Sequence, residues 1–298
     1  MSAAEGRNLT KKFGKLRAVD ELTFTLAPEK IIGLIGRNGA GKTTLLKMIA
    51  GYLLPDEGDI KVFSEDPFNS IRVSANLIFI DDYPSLPASM NLADILKTAE
   101  TFYAHWDQRL AAALLEYFKL PAGQSYDNLS KGMKSTFNII LGIAAHCPLT
   151  IFDEPTTGMD AAVRKDFYRA LLKDYLQHPR TIILSSHLLN ELEDILDEVL
   201  LIDEGRKKLH LPVHDLKEYA IGVQGREKDI LEFTGDTEIY ARKELGKDSV
   251  YLAVRHIFSP EELEQARINS LKISPLSAAE TCVYITAKDK GGIDRVFE

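Results

Sequence analysis

Apolar residues alternate with polar ones in one segment of the chain and form short unbroken runs in others. Residues 22–26 (LTFTL) alternate, which predicts a strand with one buried face. Four further segments are almost entirely apolar, as is typical of strands that are buried on both faces of a parallel sheet. They are residues 31–35, 149–152, 181–184 and 199–202.

Segments with helical spacing lie between these apolar runs. Residues 45–50 follow the first run and its glycines, and residues 93–104 and 108–118 also have a helical pattern. Strands that alternate with helices predict an α/β fold with a parallel sheet. The helical stretch from about residue 84 to residue 145 interrupts this alternation, so we expect it to form a separate lobe.

The pattern changes after about residue 218. Candidate strands lie at residues 219–224, 238–242, 250–254 and 271–273, and candidate helices at 228–233, 260–267 and 276–284. Residues 259–262 (SPEE) form a capping-box sequence with proline at the first helical position. The order β-α-β-β-α-β is that of a small ferredoxin-like domain. We therefore expect two domains, residues 1–218 and an accessory α+β domain of residues 219–298.

Composition and charge narrow the classes of protein. The 298 residues include 36 basic and 44 acidic ones, and the resulting net charge of −8 argues against a nucleic-acid partner, which requires a basic face. The sequence contains no run of 18 or more apolar residues, which a membrane-spanning helix would require. Its first residues lack the apolar segment of a signal peptide. Cys147 and Cys282 lack metal-site spacing, so we expect two buried, reduced thiols in a cytosolic protein.

The first apolar run ends in a glycine-rich segment, residues 36–43 (GRNGAGKT), that matches the pattern G-x-x-x-x-G-K-[ST]. Glycines allow successive backbone N–H groups to point at phosphate oxygens, and the following helix adds partial positive charge at its N-terminus. We expect Lys42 to reach the β- and γ-phosphates and the Thr43 hydroxyl to bind Mg²⁺. The candidate nucleotide ligands are Arg37, Asn38, Gly39, Ala40, Gly41, Lys42, Thr43 and Thr44.

A pair of acids directly follows the second apolar run. Asp153 and Glu154 stand at its end, and the ends of parallel strands converge on one edge of a sheet. One carboxylate can hold Mg²⁺, and the other can polarise a water molecule for attack on a phosphate. The chain has no Asn-Lys-x-Asp segment that would read guanine, which counts against a GTPase.

Five ordered motifs resemble those of the ATP-binding subunits of ABC transporters. GRNGAGKTT resembles the Walker A motif, LTIFDE the Walker B motif, LSKGM the signature motif, PTTGMD the D-loop, and LSSHLLNELE the segment with the switch histidine. The resemblance extends from residue 9 to about residue 218. Two segments indicate a bacterial drug-export-like subgroup. One is the signature sequence LSKGMK, and the other is SPLSAAETCVYIT, which faintly resembles a tail of ABC-2-type export ATPases.

The resemblance implies roles for single residues near the phosphates. Glu154 would be the catalytic base, Asp153 a ligand of the metal, and His187 a contact to the γ-phosphate. Phe13 would stack on the adenine ring, with a buried core aromatic as the alternative interpretation.

Further residues would serve a second ATP site. Ser130 and Gly132 of the signature motif would bind ATP through a hydroxyl and a backbone N–H, and Asp160 would couple the two sites. Lys131 occupies a position at which this motif usually has glycine. Its side chain either adds positive charge near the phosphate or is simply solvated. In this family a glutamine of the Q-loop usually contacts both the metal and the membrane partner. The best alignment places Asp82 at that position in this chain, and Asp81 is the alternative.

The implied fold is a P-loop NTPase core with a parallel sheet, an N-terminal antiparallel β-subdomain and an inserted helical lobe. The implied function is hydrolysis of ATP with Mg²⁺ by a head-to-tail dimer of this chain with itself or a close paralogue. This dimer would power transport, in the export direction, through separate integral membrane permease subunits. It would lie on the cytoplasmic, inner face of the cell membrane.

Two alternatives come from other classes of protein. A soluble ABC-type ATPase that acts on ribosomes or DNA usually carries two ATPase domains or long coiled coils, and neither is evident in this acidic sequence. A regulatory ATP-binding module with little turnover is weakened by the presence of both Glu154 and His187.

Overall fold

A computed structural model of the chain describes residues 2–81, 86, 89–246 and 249–287. The chain divides into two compact units. The first comprises Met1–His187 and Asp194–His210, and the second comprises Leu188–Glu193 and Leu211–Glu298. Within the described part of the chain, no helix combines the length and the apolar character needed to cross a bilayer.

The first unit contains nine of the described strands and six of the described α-helices. The strands are β1 (Ala4–Phe13), β2 (Leu16–Leu26), β3 (Ile31–Ile35), β4 (Glu57–Val62), β5 (Leu77–Ile80), β6 (Leu149–Asp153), β7 (Thr181–Ser186), β8 (Glu198–Asp203) and β9 (Arg206–Pro212). The helices are α1 (Lys42–Ile49), α2 (Ile71–Ala75), α3 (Leu92–Phe102), α4 (Gln108–Tyr117), α5 (Lys131–Ala144) and α6 (Ala161–Gln177).

A six-stranded sheet forms the centre of this unit, with the strand order β5-β6-β7-β3-β8-β9. The pairs β5–β6, β6–β7, β7–β3 and β3–β8 are all parallel. The four apolar runs of the sequence are β3, β6, β7 and β8, and nearly all of their side chains are buried. The predicted α/β fold with a parallel sheet is therefore confirmed.

A three-stranded sheet of order β2-β1-β4 is antiparallel in both of its pairs, as expected for the N-terminal β-subdomain. The sequence pattern revealed only the last part of β2 and missed β1. Strand β1 has register shifts against both neighbours, and these irregularities break the simple alternation of buried and exposed side chains.

Helices α3, α4 and α5 make up the predicted helical lobe. Each begins at a residue whose side chain accepts a backbone hydrogen bond: Asn91, Asp107 and Ser130, respectively. These caps satisfy N–H groups that have no partner within the helix, and they fix where each helix starts. Helix α5 buries its entire last ten residues, so it is the core of the lobe.

The second unit contains α7 (Val213–Lys217), β10 (Ala220–Gly225), α8 (Glu227–Thr234), β11 (Ile239–Gly246), β12 (Ser249–Arg255), α9 (Pro260–Ile268), β13 (Lys272–Pro275) and α10 (Ala278–Ile285). Its sheet has the order β11-β12-β10-β13 and is antiparallel throughout. This order and the β-α-β-β-α-β sequence are those of the predicted ferredoxin-like fold. The capping box at Ser259 is also present, with Glu262 as the reciprocal partner.

The second unit begins earlier in the chain than residue 219. Helix α7 contacts α10, so residues 211–218 pack with this unit. A short 3₁₀ turn, Leu189–Glu191, also contacts α10, and Lys217 Nζ lies 2.9 Å from Glu193 Oε1. The predicted boundary after residue 218 is thus eight residues beyond the last residue of the first unit, His210.

Candidate active site

The glycine-rich loop connects β3 to α1. Gly39 and Gly41 have φ angles of 82° and 102°, in the region that favours glycine. A Cβ atom on Gly41 would also collide with the carbonyl oxygen of Ala18. The first hydrogen bond of α1 runs from Leu45 N–H to Gly41 O at 3.0 Å, which leaves the earlier N–H groups directed out of the helix. The loop and the helix terminus together provide an anion-binding concavity.

The predicted ligands of the loop are arranged around this concavity. Arg37, Asn38 and Gly39 are exposed, Ala40 is buried, and Thr43 is exposed in the first turn of α1, next to the half-buried Thr44. A hydroxyl oxygen can ligate Mg²⁺, and backbone N–H groups can donate hydrogen bonds to phosphate oxygens. This arrangement therefore fits a bound nucleotide with its metal.

Lys42 is folded back over the loop. Its Nζ donates to the Gly36 carbonyl oxygen at 2.8 Å and lies 3.4 Å from that of Arg37. The same Nζ lies 3.0 Å from Glu154 Oε1, although only 6% of the lysine side chain is exposed. The ammonium group is therefore desolvated and held by carbonyl oxygens and one carboxylate, all of which an incoming phosphate could replace.

Ser185 of strand β7 bonds to both acids at the end of strand β6. Its hydroxyl donates to Asp153 Oδ1 at 2.6 Å and accepts from Glu154 N–H at 2.8 Å. Asp153 and Ser185 are register partners in the parallel pair β6–β7. The sequence motifs did not reveal this role of Ser185, and its position at the end of an apolar strand is the signal that could have indicated it.

Glu154 brings the predicted catalytic residues together. Its Oε2 lies 3.0 Å from His187 Nδ1, while its Oε1 faces the Lys42 ammonium. His187 directly follows β7, which lies between β6 and β3 in the sheet. One carboxylate thus bridges a lysine and a histidine at the carboxyl edge of the sheet, where Asp153 also ends its strand.

The signature and D-loop residues form a second group. Ser130 caps α5 by accepting from Met133 N–H at 3.3 Å, and Asp160 caps α6 by accepting from two N–H groups at 2.9 Å each. Ser130, Gly132 and Asp160 line a cavity of about 420 Å³. No residue of the glycine loop is among the residues that line this cavity.

Hydrogen bonds connect the two groups through Thr157. The Thr157 hydroxyl donates to the Glu154 carbonyl oxygen at 2.9 Å, and the Thr157 carbonyl accepts from Ser135 Oγ at 2.8 Å. Gly132 packs so closely on this turn that a Cβ atom there would lie 2.7 Å from Gly158 O. The first turns of α5 are therefore connected through Thr157 to the backbone of Glu154.

Of the remaining predicted residues, the structure describes Phe13, Asp81 and Lys131. Phe13 ends β1 with 51% of its surface exposed, so it is not a core aromatic. The Asp81 carbonyl accepts from Asn138 Nδ2 of α5 at 3.3 Å. Asp82 lies outside the described residues. Lys131 is exposed, and its side chain occupies the space beside Gly158.

The fold and this site define a P-loop nucleotide-hydrolysing protein: a parallel sheet with a phosphate-binding glycine loop and a carboxylate–histidine pair at one edge. A family profile described as "ABC transporter" matches residues 19–157. A second profile, described as "AAA domain, putative AbiEii toxin, Type IV TA system", matches residues 122–193.

Curated relatives agree with the first of these profiles. The chain is 31% identical to the Nod factor export ATP-binding protein I of Burkholderia orbicola (strain AU 1054), over 80% of this chain and 79% of that protein. It is 28% identical to the bacitracin transport ATP-binding protein BcrA of Bacillus licheniformis, over 89% of this chain and 87% of that protein.

A solved structure described as an ATP binding subunit of an ABC transporter is 25% identical to this chain and superposes with a TM-score of 0.66. It covers 72% of this chain and 92% of its own. The chain belongs to the ATP-binding proteins of ABC transporters. These proteins are ATPases that use ATP with Mg²⁺, and the family resemblance of the sequence is thereby confirmed.

Proposed function

We propose that this chain powers export through a separate membrane permease and that its active form is a head-to-tail dimer around two ATP molecules. The family supports the coupling of ATP hydrolysis to transport. The names of two relatives, one a Nod factor export protein and one a bacitracin transport protein, support the export direction. The sequence of the signature motif, LSKGMK, resembles that of drug-export ATPases and supports the same direction.

The observation that carries the proposal is the carboxylate of Glu154 between Lys42 and His187, at 3.0 Å from each. When ATP binds, Lys42 exchanges its carbonyl partners and this carboxylate for the β- and γ-phosphates. Glu154 is then free to accept a proton from a water molecule that attacks the γ-phosphate in line. His187 contacts the γ-phosphate and keeps Glu154 oriented.

The remaining residues of the first group bind the nucleotide. Backbone N–H groups of residues 37–44 surround the phosphates, and Phe13 stacks on adenine, for which its exposed ring is suited. Mg²⁺ held by Thr43 and Asp153 would neutralise part of the phosphate charge, and we assign a third metal contact to Asp82 on the basis of its sequence alignment.

The second group binds the ATP of a partner chain. Ser130 and Gly132 offer a hydroxyl and a helix N-terminus beside a cavity whose lining residues do not include the glycine loop. A head-to-tail dimer would bring these residues to the γ-phosphate of the other chain, with Asp160 at the contact between the two sites. The second subunit is a copy of this chain or a close paralogue.

The permease is a set of integral membrane subunits, and the dimer lies against it on the cytoplasmic face of the membrane. Neither nucleic acid nor the ribosome is a partner in this account. A soluble regulatory ATPase would instead work without any membrane subunit.

Affinity purification from detergent-solubilised membranes separates these possibilities. We expect tagged wild-type chain to carry a stoichiometric integral membrane protein and to show Mg²⁺-dependent ATP hydrolysis. Glu154→Gln should retain the membrane partner and lose most of the hydrolysis. A wild-type chain that hydrolyses ATP but recovers no membrane protein from its native host would contradict the transport assignment.

A further inference from the structure

Two histidines and an aspartate meet at the opposite ends of the helices that carry the signature and D-loop residues. His146 follows the end of α5, Asp174 lies in the last turn of α6, and His178 caps the C-terminus of α6. Asp174 and His178 are four residues apart, which places them on one face of the helix. His146 Nε2 lies 2.8 Å from Asp174 Oδ1, and His178 Nδ1 lies 3.5 Å from the same oxygen.

The two oxygens of Asp174 have different partners. Oδ1 faces both imidazoles, whereas Oδ2 lies 2.8 Å from Arg180 Nη1. Arg180 is itself fixed, because its guanidinium also donates to the carbonyl oxygens of His178 and Ile143. The guanidinium therefore orients the carboxylate and leaves one oxygen for a shared ligand of the two histidines.

We propose that His146, Asp174 and His178 bind a divalent transition-metal ion, with Zn²⁺ as the expected ion. One nitrogen or oxygen atom from each residue lies within 4.8 Å of the other two. Tetrahedral Zn²⁺ with bonds of about 2.0–2.2 Å holds its ligand atoms about 3.3–3.5 Å apart, so side-chain shifts of less than about 1 Å suffice. Arg180 forms an ion pair with the outer carboxylate oxygen, a contact outside the proposed coordination shell that would orient the ligand.

The surroundings leave room for a fourth ligand. His146 and His178 line a cavity of about 940 Å³ together with His105 and Trp106. The centroids of the imidazole rings of His146 and His178 lie 4.4 Å apart, with an interplanar angle of 32°. A water molecule can therefore complete the coordination from the cavity, as in sites with three protein ligands.

Asp174 is well enclosed for a metal ligand. Only 7% of the residue is exposed, and its carboxylate faces the imidazoles of His146 and His178 and the guanidinium of Arg180. Because ligating nitrogen and oxygen atoms carry no proton, a bound ion would take the place of the direct contact between His146 and Asp174.

A bound ion would cross-link α5 to α6 at the ends remote from ATP. Helix α5 has 14 residues and α6 has 17, which correspond to about 21 Å and about 26 Å. Because Ser130 caps the start of α5 and Asp160 caps the start of α6, the ion would join the far ends of two helices whose N-terminal caps we assign to the dimer contact. This site is distinct from the Mg²⁺ site, so its test does not depend on the proposed function.

Titration of the metal-free, nucleotide-free full chain with Co²⁺, followed by competition with Zn²⁺, tests the proposal. We expect one equivalent of Co²⁺ with the visible absorption of a tetrahedral site, displaced by Zn²⁺. Since loss of even a second-shell partner costs about 10–100-fold in metal affinity, His178→Ala should weaken binding at least that much. His178 is half exposed, so this variant should fold, and circular dichroism verifies that it does.

Two control variants make the result specific. His214→Ala, which removes an exposed histidine of the second unit, should bind Co²⁺ as the wild type does. Asp153→Asn, which alters the proposed Mg²⁺ site, should also leave Co²⁺ binding unchanged. Absence of stoichiometric binding by the wild type, unaltered binding by His178→Ala, or loss of binding in Asp153→Asn alone would overturn the proposal.

Discussion

Glu154 has a left-handed backbone conformation, with a φ angle of 47°. A non-glycine residue in this region costs on the order of 1–3 kcal/mol, so its surroundings must hold it there. Its N–H donates to Ser185 Oγ, and its carbonyl accepts from Thr157 Oγ1. The resulting turn directs the carboxylate between Lys42 and His187, where we expect the proton of the attacking water to be received.

Lys42 should determine the affinity for ATP. Charge-assisted contacts contribute about 1.5–3 kcal/mol each, so Lys42→Ala should weaken ATP binding by roughly tenfold or more. Lys47, in the last turn of the same helix, provides the matched control, and Lys47→Ala should bind normally. Isothermal titration with a non-hydrolysable ATP analogue measures both. Equal affinities for the wild type and Lys42→Ala would contradict the phosphate-binding role.

Cys282 should resist alkylation in the native chain. Burial, with a smaller contribution from the charge of Glu193, raises the pKa of its thiol to about 12. A raised pKa keeps the thiol protonated below that pH, and the thiolate is the reactive form. Iodoacetamide at pH 8 followed by peptide mass spectrometry should therefore label Cys282 only after unfolding. Rapid labelling of folded protein would show that this core packing is wrong.

Single residues of the site differ in how far the sequence reveals them. Lys42, Asp153 and Glu154 follow apolar strands within motifs whose chemistry is local, so the sequence is sufficient to nominate them. The pairing of Ser185 with Asp153 depends on the register between two strands that are distant in the chain. Its prediction requires the sheet order, which periodicity does not provide.

At the scale of elements, α5 is connected by hydrogen bonds to both groups of site residues. Ser130 caps its start, and Ser135 in its first half donates to the carbonyl oxygen of Thr157 at 2.8 Å. Thr157 in turn bonds to Glu154. A movement of α5 would therefore reach the backbone of Glu154, the proposed catalytic base, through two hydrogen bonds.

Ser135→Ala should reduce ATP hydrolysis more than ATP binding. The substitution leaves the Thr157 carbonyl without this donor and should lower the free energy of unfolding by about 1 kcal/mol. Thr98→Ala is the control, because that hydroxyl bonds to the Asp94 carbonyl oxygen at 2.8 Å and to Met90 Sδ at 3.9 Å, and neither partner is a proposed site residue. Steady-state hydrolysis and ATP affinity measured in parallel check this. Wild-type turnover in Ser135→Ala would contradict the proposed link.

The elements that the sequence revealed are those with a strong local signal. The four fully buried strands, the glycine-to-helix transition and the capping box at Ser259 are each contained in a few residues. Strand β1 and helix α6 were missed. Bulges interrupt the alternation of β1, and most residues of α6 are exposed or half-buried, with only Phe167, Leu171 and Asp174 buried. The histidine–aspartate cluster was missed with it, since His146 comes from a different helix end.

At the scale of the whole molecule, the chain passes from the proposed active site directly into the second unit. His187 is the last residue of the first segment, and residues 188–193 belong to the ferredoxin-like unit. Leu189 and Leu192 of this segment are buried. A change of packing within the second unit can therefore reach the residue after His187 through the backbone.

A chain that ends at His210 should bind ATP with unchanged affinity, because every proposed phosphate contact belongs to the first unit. Its hydrolysis rate should fall, since residues 188–193 lose the helix α10 on which they pack. Nucleotide titration and steady-state hydrolysis measure the two effects, and circular dichroism verifies folding. Loss of ATP affinity in a folded truncated chain would contradict this division of roles.

The head-to-tail dimer is the central claim, and size-exclusion chromatography of Glu154→Gln with ATP and Mg²⁺ tests it most directly. This variant keeps the phosphate and metal ligands but lacks the base, so it should accumulate as an ATP-bound dimer. Adding Ser130→Arg should abolish the dimer while ATP binding through Lys42 persists. A Glu154→Gln chain that remains monomeric at saturating ATP, or a dimer that Ser130→Arg leaves intact, would contradict the shared-site mechanism.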